Sequence, residues 1–314
     1  MTMDGPHDVE RRVRGSLLGL AVGDAVGTTL EFKRPGSFTP VTDMIGGGPF
    51  GLAPGQWTDD TSMALCLAES LVECGGFVPL DQCKRYLQWW KEGHLSSTGQ
   101  CFDIGNTTRT ALERFEWSGE PFSGGTTTRS AGNGSLMRLA PVPLFFRHDP
   151  ALAIQLAGES SRTTHALPVC VDACRYFAGL ILGALEGLDK PALLAPRFHP
   201  VADAWAPGEL HPEVEEVAGG TFRVRNPPQI RGSGHVVRSL EAALWAFSRT
   251  DDFASGCLLT ANLGEDADTT AAIYGQIAGA WYGVEGIPAP WLERLAKRDV
   301  VETLAQGLVS ATLA

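Results

Sequence analysis

A glycine occupies every fourth position in the stretch Gly15-Ser16-Leu17-Leu18-Gly19-Leu20-Ala21-Val22-Gly23-Asp24-Ala25-Val26-Gly27. Residues four apart lie on one face of an α-helix, so the glycines form one stripe, while Val13, Leu17 and Leu20 begin an apolar stripe. Each glycine costs a helix interior about 0.5–1 kcal/mol relative to alanine. We therefore expect a second helix to pack directly against this face, which carries no side chains.

The same spacing returns near the C-terminus, at Ala271, Gly275, Gly279 and Gly283. The two stripes predict a pair of central helices in contact. Apolar periodicity predicts further helices at about 60–75, 79–92, 103–115, 135–146, 150–162, 167–188, 236–248, 252–262 and 288–311. Only residues 221–224 have the character of a short strand. The sequence thus predicts an all-α fold, a compact multi-helix bundle forming a single domain over residues 1–314.

A stretch rich in proline and glycine, residues 191–234, interrupts the helical pattern. It is longer than an ordinary connection between helices. We interpret it as an excursion over the surface or a lid rather than as a boundary between two domains.

The composition excludes some function classes. There are 25 basic and 36 acidic residues, a net charge of −11, which argues against binding to a nucleic-acid backbone or an anionic membrane. The longest apolar run, residues 176–185, is too short to span a bilayer. The seven cysteines form no CxxC pair and no even disulfide framework. We therefore expect a reduced cytoplasmic protein with no membrane partner.

Two acidic clusters stand at predicted helix starts. They are Thr58-Asp59-Asp60-Thr61 and Gly264-Glu265-Asp266-Ala267-Asp268-Thr269-Thr270. Capping alone would explain one acid at each start, but the two clusters together favour a metal site over capping. The carboxylates of Asp59, Asp60, Asp266 and Asp268, brought together, repel one another unless a cation neutralises them. Oxygen ligands suit Mg²⁺, Mn²⁺ or Ca²⁺, and two ions bridged by a carboxylate fit the number of ligands.

Other polar residues lie near predicted helix ends. Glu31 follows the first glycine helix and is free to point into a site, whereas Asp24, on its apolar stripe, is interpreted first as structural. Asp103 and Asn106 stand about one helical turn apart. His165 precedes an apolar helix, where a histidine is commonly a cap or a core group.

The segment Ser130-Ala131-Gly132-Asn133-Gly134, which we call the glycine turn, is flexible in composition. Backbone N–H groups exposed in such a turn can hold a phosphate. Most glycine-rich turns are only turns, so this signal is weak by itself.

In their order along the chain, these motifs resemble the ADP-ribosylglycohydrolase family. The resemblance runs from about residue 11 to residue 284 and rests on six segments: 19–27, Glu31, 58–61, 132–138, 164–166 and 264–269. It implies an all-α fold with a binuclear Mg²⁺ or Mn²⁺ centre. The sequence departs from the family pattern at Glu265, where many members have glycine, and at Ala267, where threonine is frequent; neither change removes an expected ligand.

The resemblance also implies roles for individual residues. The metal ligands would be Thr58, Asp59, Asp60, Asp266, Asp268 and Thr269, with Asp268 as the bridging candidate. Glu31 would be a further ligand or a gate. The substrate-binding set would be Asn106, Ser130, Ala131, Gly132, Asn133, Gly134 and His165. In that set the glycine turn would hold a diphosphate, and His165 would lie against the ribose or adenosine portion.

The predicted activity is hydrolysis of the bond between C1″ of a terminal ribose and the group that it modifies. Asp59, Asp60 or Glu31 would act as the base. Asp103 and Asn106 match an Asp-x-x-Asn element of the arginine-specific branch, so an ADP-ribosyl-arginine linkage is expected, with Asp103 orienting the guanidinium. The partner would be an ADP-ribosylated protein or a small ADP-ribose conjugate.

Three alternatives stay open. The first is hydrolysis of serine-linked or other conjugates. The second is a non-catalytic, crystallin-like protein that binds ADP-ribose. The third is an all-α metal phosphohydrolase, which the sequence disfavours because its adjacent His-Asp pairs, at residues 7–8 and 148–149, lack a partner histidine on a helix.

Overall fold

The structure is a computed structural model that describes residues 6–202, 205 and 208–311. Residues 203, 204, 206 and 207 of the predicted excursion, and both ends of the predicted domain, lie outside the described residues. The helices are α1 Pro6–Gly27, α2 Asp59–Cys74, α3 Pro79–Glu92, α4 Asn106–Ser118, α5 Pro141–Phe145, α6 Pro150–Arg162, α7 Pro168–Leu185, α8 Lys190–Leu193, α9 Pro212–Ala218, α10 Thr221–Val224, α11 Val236–Arg249, α12 Phe253–Ala261, α13 Ala267–Tyr282, α14 Ala289–Arg294 and α15 Arg298–Ser310. Among the described residues, β-structure is limited to isolated bridges, and no strand is formed. The predicted all-α fold is therefore confirmed.

Helices α1 and α13 form the central pair that the glycine stripes predict. A Cβ atom on Gly19 would overlap the carbonyl oxygen of Gly275, and one on Gly23 would overlap that of Ala271. The two helices are antiparallel, because the first residues of α1 face the last residues of α13. At the far end, Gly27 meets the backbone of Asp268. The backbone contact therefore brings the start of α13 to the end of α1.

One continuous apolar core surrounds this pair, and α7 and α11 pack against α13. The apolar run at 176–185 belongs to α7. Of the described helices, α7 is the one whose length and composition would allow it to cross a membrane, and 78% of it is buried inside the structure. The described part of the stretch 191–234 packs α9 and α10 against α7 and α11.

Three predicted elements were wrong. Residues 135–146 form turns followed by the short α5, because the side chain of Gln276 binds the carbonyls of Leu136 and Met137 and the N–H of Ala140. These contacts replace helical hydrogen bonds. Residues 221–224 form a helical turn rather than a strand. The predicted helix 288–311 is divided into α14 and α15, because Lys297 has a left-handed backbone and the N–H of Ala296 donates to Gly55.

The predicted helix 103–115 also begins later than expected. Asp103 has a φ of +59°, outside the helical region, and Gly105 is the extended residue before α4. The helix begins at Asn106, which leaves Asp103 in a loop that faces the site described next.

Candidate functional site

The first turn of α2 is capped by a side chain from another helix. Asp24 on α1 accepts hydrogen bonds from the backbone N–H groups of Thr58 and Thr61, at 2.9 Å and 3.0 Å, and from the hydroxyl of Thr61 at 2.6 Å. Thr58 itself makes no side-chain cap. This contact sets the direction in which the acids of α2 point.

Seven carboxylates converge where the end of α1 meets the starts of α2 and α13. We call them the carboxylate cluster: Asp24, Glu31, Asp59, Asp60, Asp103, Asp266 and Asp268. Ligand atoms of Asp24, Asp60 and Asp268 lie within 4.8 Å of one another, and so do those of Glu31, Asp103 and Asp268. Asp268 is common to both groups.

The polar atoms of the cluster are poorly satisfied by the protein. Among the described residues, nothing donates to the buried atoms Asp60 Oδ1, Asp268 Oδ1 and Glu31 Oε2. The hydroxyl of Thr58 lies 3.0 Å from carboxylate oxygens of Asp24 and Asp60 and 3.3 Å from one of Asp268. One hydroxyl has a single proton for these three acceptors. Buried acceptors without donors are the arrangement that divalent cations satisfy, so the residues present fit a metal site.

Burial and mutual repulsion raise the pKa values of the cluster. The pKa of Glu31 rises to about 10, first because of burial and then because of Asp103 and Asp266 nearby. Burial, with the charge of Asp266, raises the pKa of Asp103 to about 7. The pKa values of Asp59, Asp60 and Asp268 are likewise raised by burial first and by neighbouring carboxylates second. Positive charge at this place would reverse these shifts.

Four members of the cluster, Glu31, Asp59, Asp103 and Asp266, line a cleft of about 480 Å³. The predicted site residues that line it are Glu31, Asp59, Asp103, Asn106, Gly132, Asn133, Gly134, His165, Asp266 and Thr269. Asp60, Asp268 and Thr58 are buried beneath its floor, with at most 1% of each exposed. Residues far apart in the sequence thus share one cavity.

Part of the glycine turn also lines the cleft and is hydrogen-bonded to the cluster. The amide of Asn133 donates to Asp266 Oδ2 at 2.6 Å, and its backbone N–H donates to Gly234. Ser130 and Ala131 are absent from the lining of the cleft, and the carbonyl of Ala131 accepts from the N–H of Val236. Only the last three residues of the turn, Gly132, Asn133 and Gly134, therefore face the cleft.

His165 lies beneath the glycine turn and is 2% exposed. Its Nδ1 is 2.9 Å from the hydroxyl of Thr164. Burial, aided by the charge of Arg138, lowers the imidazole pKa to about 3. The ring is therefore neutral at neutral pH.

Sequence reasoning missed several contributors. Asp24, interpreted as structural, does cap α2, yet it also belongs to the carboxylate cluster; its signal was an acid on an apolar stripe. Phe32, which directly follows Glu31, lines the mouth of the cleft with 65% of its surface exposed. Arg129 and Gly234 also line the cleft, and no sequence pattern singled them out.

Comparisons with known proteins agree with this architecture. Residues 5–313 match the ADP-ribosylglycohydrolase family. The chain is 44% identical to the ADP-ribosylarginine hydrolase Tri1 of Pseudomonas putida (strain GB-1), over 96% of this chain and 79% of that protein. It is 34% identical to the ADP-ribosyl-[dinitrogen reductase] glycohydrolase of Rhodospirillum rubrum, over 99% and 98% of the two chains.

A solved structure described as an ADP-ribosylglycohydrolase-related protein complex superposes with a TM-score of 0.85. It is 44% identical in sequence, and the match covers 96% of this chain and 98% of that one. The family match over nearly the whole sequence confirms the predicted resemblance and the predicted hydrolase class. The chain therefore belongs to the ADP-ribosylglycohydrolase family, whose members are hydrolases.

Proposed function

We propose that this chain releases ADP-ribose from modified arginine by hydrolysing the bond between C1″ of the ribose and the guanidinium nitrogen. The observation that carries the proposal is the cleft itself, which is lined both by clustered carboxylates and by the glycine turn. This arrangement offers separate sites for a sugar diol and for a diphosphate. The relative named as an ADP-ribosylarginine hydrolase supports the choice of arginine.

We further propose that the cluster holds two divalent cations, Mg²⁺ or Mn²⁺. The two groups of carboxylates that share Asp268 support a bridging role for that residue. The other ligands would come from Thr58, Asp59, Asp60, Asp266 and Thr269, with Asp24 and Glu31 close enough to contribute. When bound, such cations neutralise the cluster and supply Lewis acidity beside the ribose hydroxyls.

Residues of the chain itself would position the substrate and accept the proton. The glycine turn would hold the diphosphate and so fix the position of C1″ relative to the carboxylates. Glu31 lines the cleft, and its Oε2 atom has no donor among the described residues; it would accept the proton from the attacking water, with Asp59 as the neighbouring alternative. As the bond breaks, the ribose gains oxocarbenium character, which nearby carboxylates stabilise.

Asp103 and Asn106 would bind the leaving group. Both line the cleft, and the ligand atoms of Asp103 and Glu31 are within 4.8 Å of each other. A carboxylate in this place pairs with a guanidinium through charge-assisted hydrogen bonds. A serine hydroxyl would gain much less from the same contact.

The test is a panel of ADP-ribose conjugates of defined linkage, arginine and serine, assayed with Mg²⁺, with Mn²⁺ and with EDTA. We expect ADP-ribose release from the arginine conjugate with either metal and none with EDTA. Binding of ADP-ribose without hydrolysis of any conjugate would refute the enzymatic proposal. Preference for the serine conjugate would refute the assignment of the leaving group.

A further inference from the structure

Arg138 is a fully buried arginine that the proposed mechanism does not use. Its Nη1 donates to the carbonyl of Gly134 at 3.0 Å, and its guanidinium lies 4.6 Å from the ring centre of Tyr86. No carboxylate pairs with it within the described part of the chain. An isolated buried charge is costly. We therefore expect this cation to have a role at the glycine turn, whose Gly134 carbonyl it binds.

The second terminal nitrogen of the guanidinium, Nη2, is connected to His165 through the hydroxyl of Thr164. Nη2 of Arg138 donates to the hydroxyls of Thr164 at 2.7 Å and of Thr163 at 3.2 Å. Because a guanidinium only donates, Thr164 Oγ1 accepts from Arg138. In the described part of the chain, the proton of the Thr164 hydroxyl has no acceptor other than His165 Nδ1, at 2.9 Å. Nδ1 is consequently an acceptor, and the proton of the neutral ring is on Nε2.

The protonated nitrogen lies at the cleft. A Cβ atom built on Gly132 or on Gly134 would stand 3.2 Å from His165 Nε2, so the imidazole edge lies directly against the glycine turn. Across the described residues, no acceptor is bound to this N–H or to the backbone N–H groups of Ala131, Gly132 and Gly134. Of these donors, the imidazole N–H and the backbone N–H groups of Gly132 and Gly134 belong to residues that line the cleft, and the Arg138 cation contacts Gly134. An anionic oxygen fits that part of the cleft better than a neutral hydroxyl.

We propose that Arg138 and Thr164 are positioning residues that hold His165 in the Nε2–H form, directed at a diphosphate oxygen of the ADP-ribose group rather than at the ribose or adenosine portion that the resemblance implies. The identity of that ligand rests on the proposed function. The state of the ring does not, because it follows from the contacts of Arg138 and Thr164 alone.

Two matched substitutions separate this role from general stability. Thr164→Val removes the hydroxyl that both accepts from Arg138 and donates to His165. Thr163→Val removes a hydroxyl that also accepts from Arg138 but donates to the carbonyl of Ser160 instead. Thr164→Ser keeps the hydroxyl and serves as the conservative rescue. Thermal unfolding identifies any variant that fails to fold.

The tautomer is read by two-bond ¹H–¹⁵N spectra of the ¹⁵N-labelled proteins, with the His165 signals assigned by their loss in His165→Gln. We expect protonated Nε2 and bare Nδ1 in the wild type, in Thr163→Val and in Thr164→Ser. In Thr164→Val we expect a mixture of tautomers. A wild-type ring protonated on Nδ1 would overturn the proposal.

The Kd for ADP-ribose is measured by calorimetry. The kcat and KM are measured with the arginine conjugate in the presence of Mg²⁺. Thr164→Val should raise the Kd and the KM about tenfold while kcat changes less than about twofold, because one hydrogen bond to an anion is lost. An equal rise in Thr163→Val would show a merely structural effect and overturn the proposal. If ADP-ribose binds as expected but no conjugate is hydrolysed, the proposed function fails and this inference stands.

Discussion

The carboxylate of Asp24 on α1 lies 2.9 Å from the backbone N–H of Thr58 and accepts its hydrogen bond. One buried acid thereby joins the end of the central helix pair to the first turn of α2. The same acid has ligand atoms within 4.8 Å of those of Asp60 and Asp268. The residue that caps α2 is therefore also a member of the carboxylate cluster.

The first prediction concerns this cap. In Asp24→Asn, the amide NH₂ must face N–H or O–H groups of Thr58 or Thr61, since both carboxylate oxygens accept from them. We expect a loss of roughly 2–4 kcal/mol in the free energy of unfolding, measured by urea denaturation in EDTA. Asp149→Asn, at the exposed cap of α6, should change it by less than about 0.5 kcal/mol. Equal effects would contradict the special role of Asp24.

The second prediction concerns the helix pair. Gly23→Ala places a methyl group on the carbonyl of Ala271, and neither backbone can move without disturbing the site. We expect destabilisation of more than about 3 kcal/mol or failure to fold. Gly76→Ala, where an added Cβ meets nothing within 4 Å, should stay within about 0.5 kcal/mol of the wild type. Circular dichroism melting curves of the two variants give the comparison.

The third prediction separates function from stability in the cluster. Asp268→Asn should lower turnover by more than about 100-fold, because the acid common to both carboxylate groups is lost. In EDTA, however, the variant should melt at least as high as the wild type, because a buried, repelling charge has been removed. Asp60→Asn should behave in the same way, whereas the exposed Asp299→Asn should leave turnover unchanged. Full activity in Asp268→Asn would refute the metal-centred proposal.

The fourth prediction concerns the leaving group. Asp103→Asn removes the charge, and asparagine still tolerates the left-handed backbone at φ +59°. We expect kcat/KM for the arginine conjugate to fall roughly 10- to 100-fold, the value of a charged hydrogen bond. The Kd for ADP-ribose, which lacks the guanidinium, should stay nearly constant by calorimetry. A parallel loss of ADP-ribose affinity would place Asp103 elsewhere in the mechanism.

The fifth prediction is a dependence of stability on pH. Folding lowers the pKa of His165 from its ordinary 6.5 to about 3, so the unfolded chain binds more protons between these values. The stability contributed by neutral His165 is therefore complete above pH 6.5 and is lost as the pH falls towards 3. The slope approaches about 1.4 kcal/mol per pH unit.

Urea denaturation of the wild type and of His165→Gln between pH 4.5 and 7.5 measures this slope. Subtracting the variant removes the contribution of His148, whose pKa is also lowered by burial. Identical pH profiles for the two proteins would show that His165 is not buried in its neutral form.

Local spacing made much of the fold predictable. A glycine every fourth residue requires a helix partner, and both stripes can be recognised without any structure because the period of a helix is a local property. The errors in the predicted fold have a different origin. Residues 135–138 have helical periodicity, yet Gln276, more than 130 residues away, binds their carbonyls. A distant side chain that replaces helical hydrogen bonds cannot be read from the local sequence pattern.

For the site, the sequence by itself determined which residues carry oxygen ligands and that two acidic clusters begin helices. Only the tertiary structure decided that Asp268 belongs to both carboxylate groups, that Asp24 is a member of one of them and that Arg138 donates to the carbonyl of Gly134 in the glycine turn. The physical reason is that residue type and spacing are fixed by neighbours along the chain. Distances between α1, α2 and α13 depend instead on how closely their backbones pack, and glycine allows the closest approach.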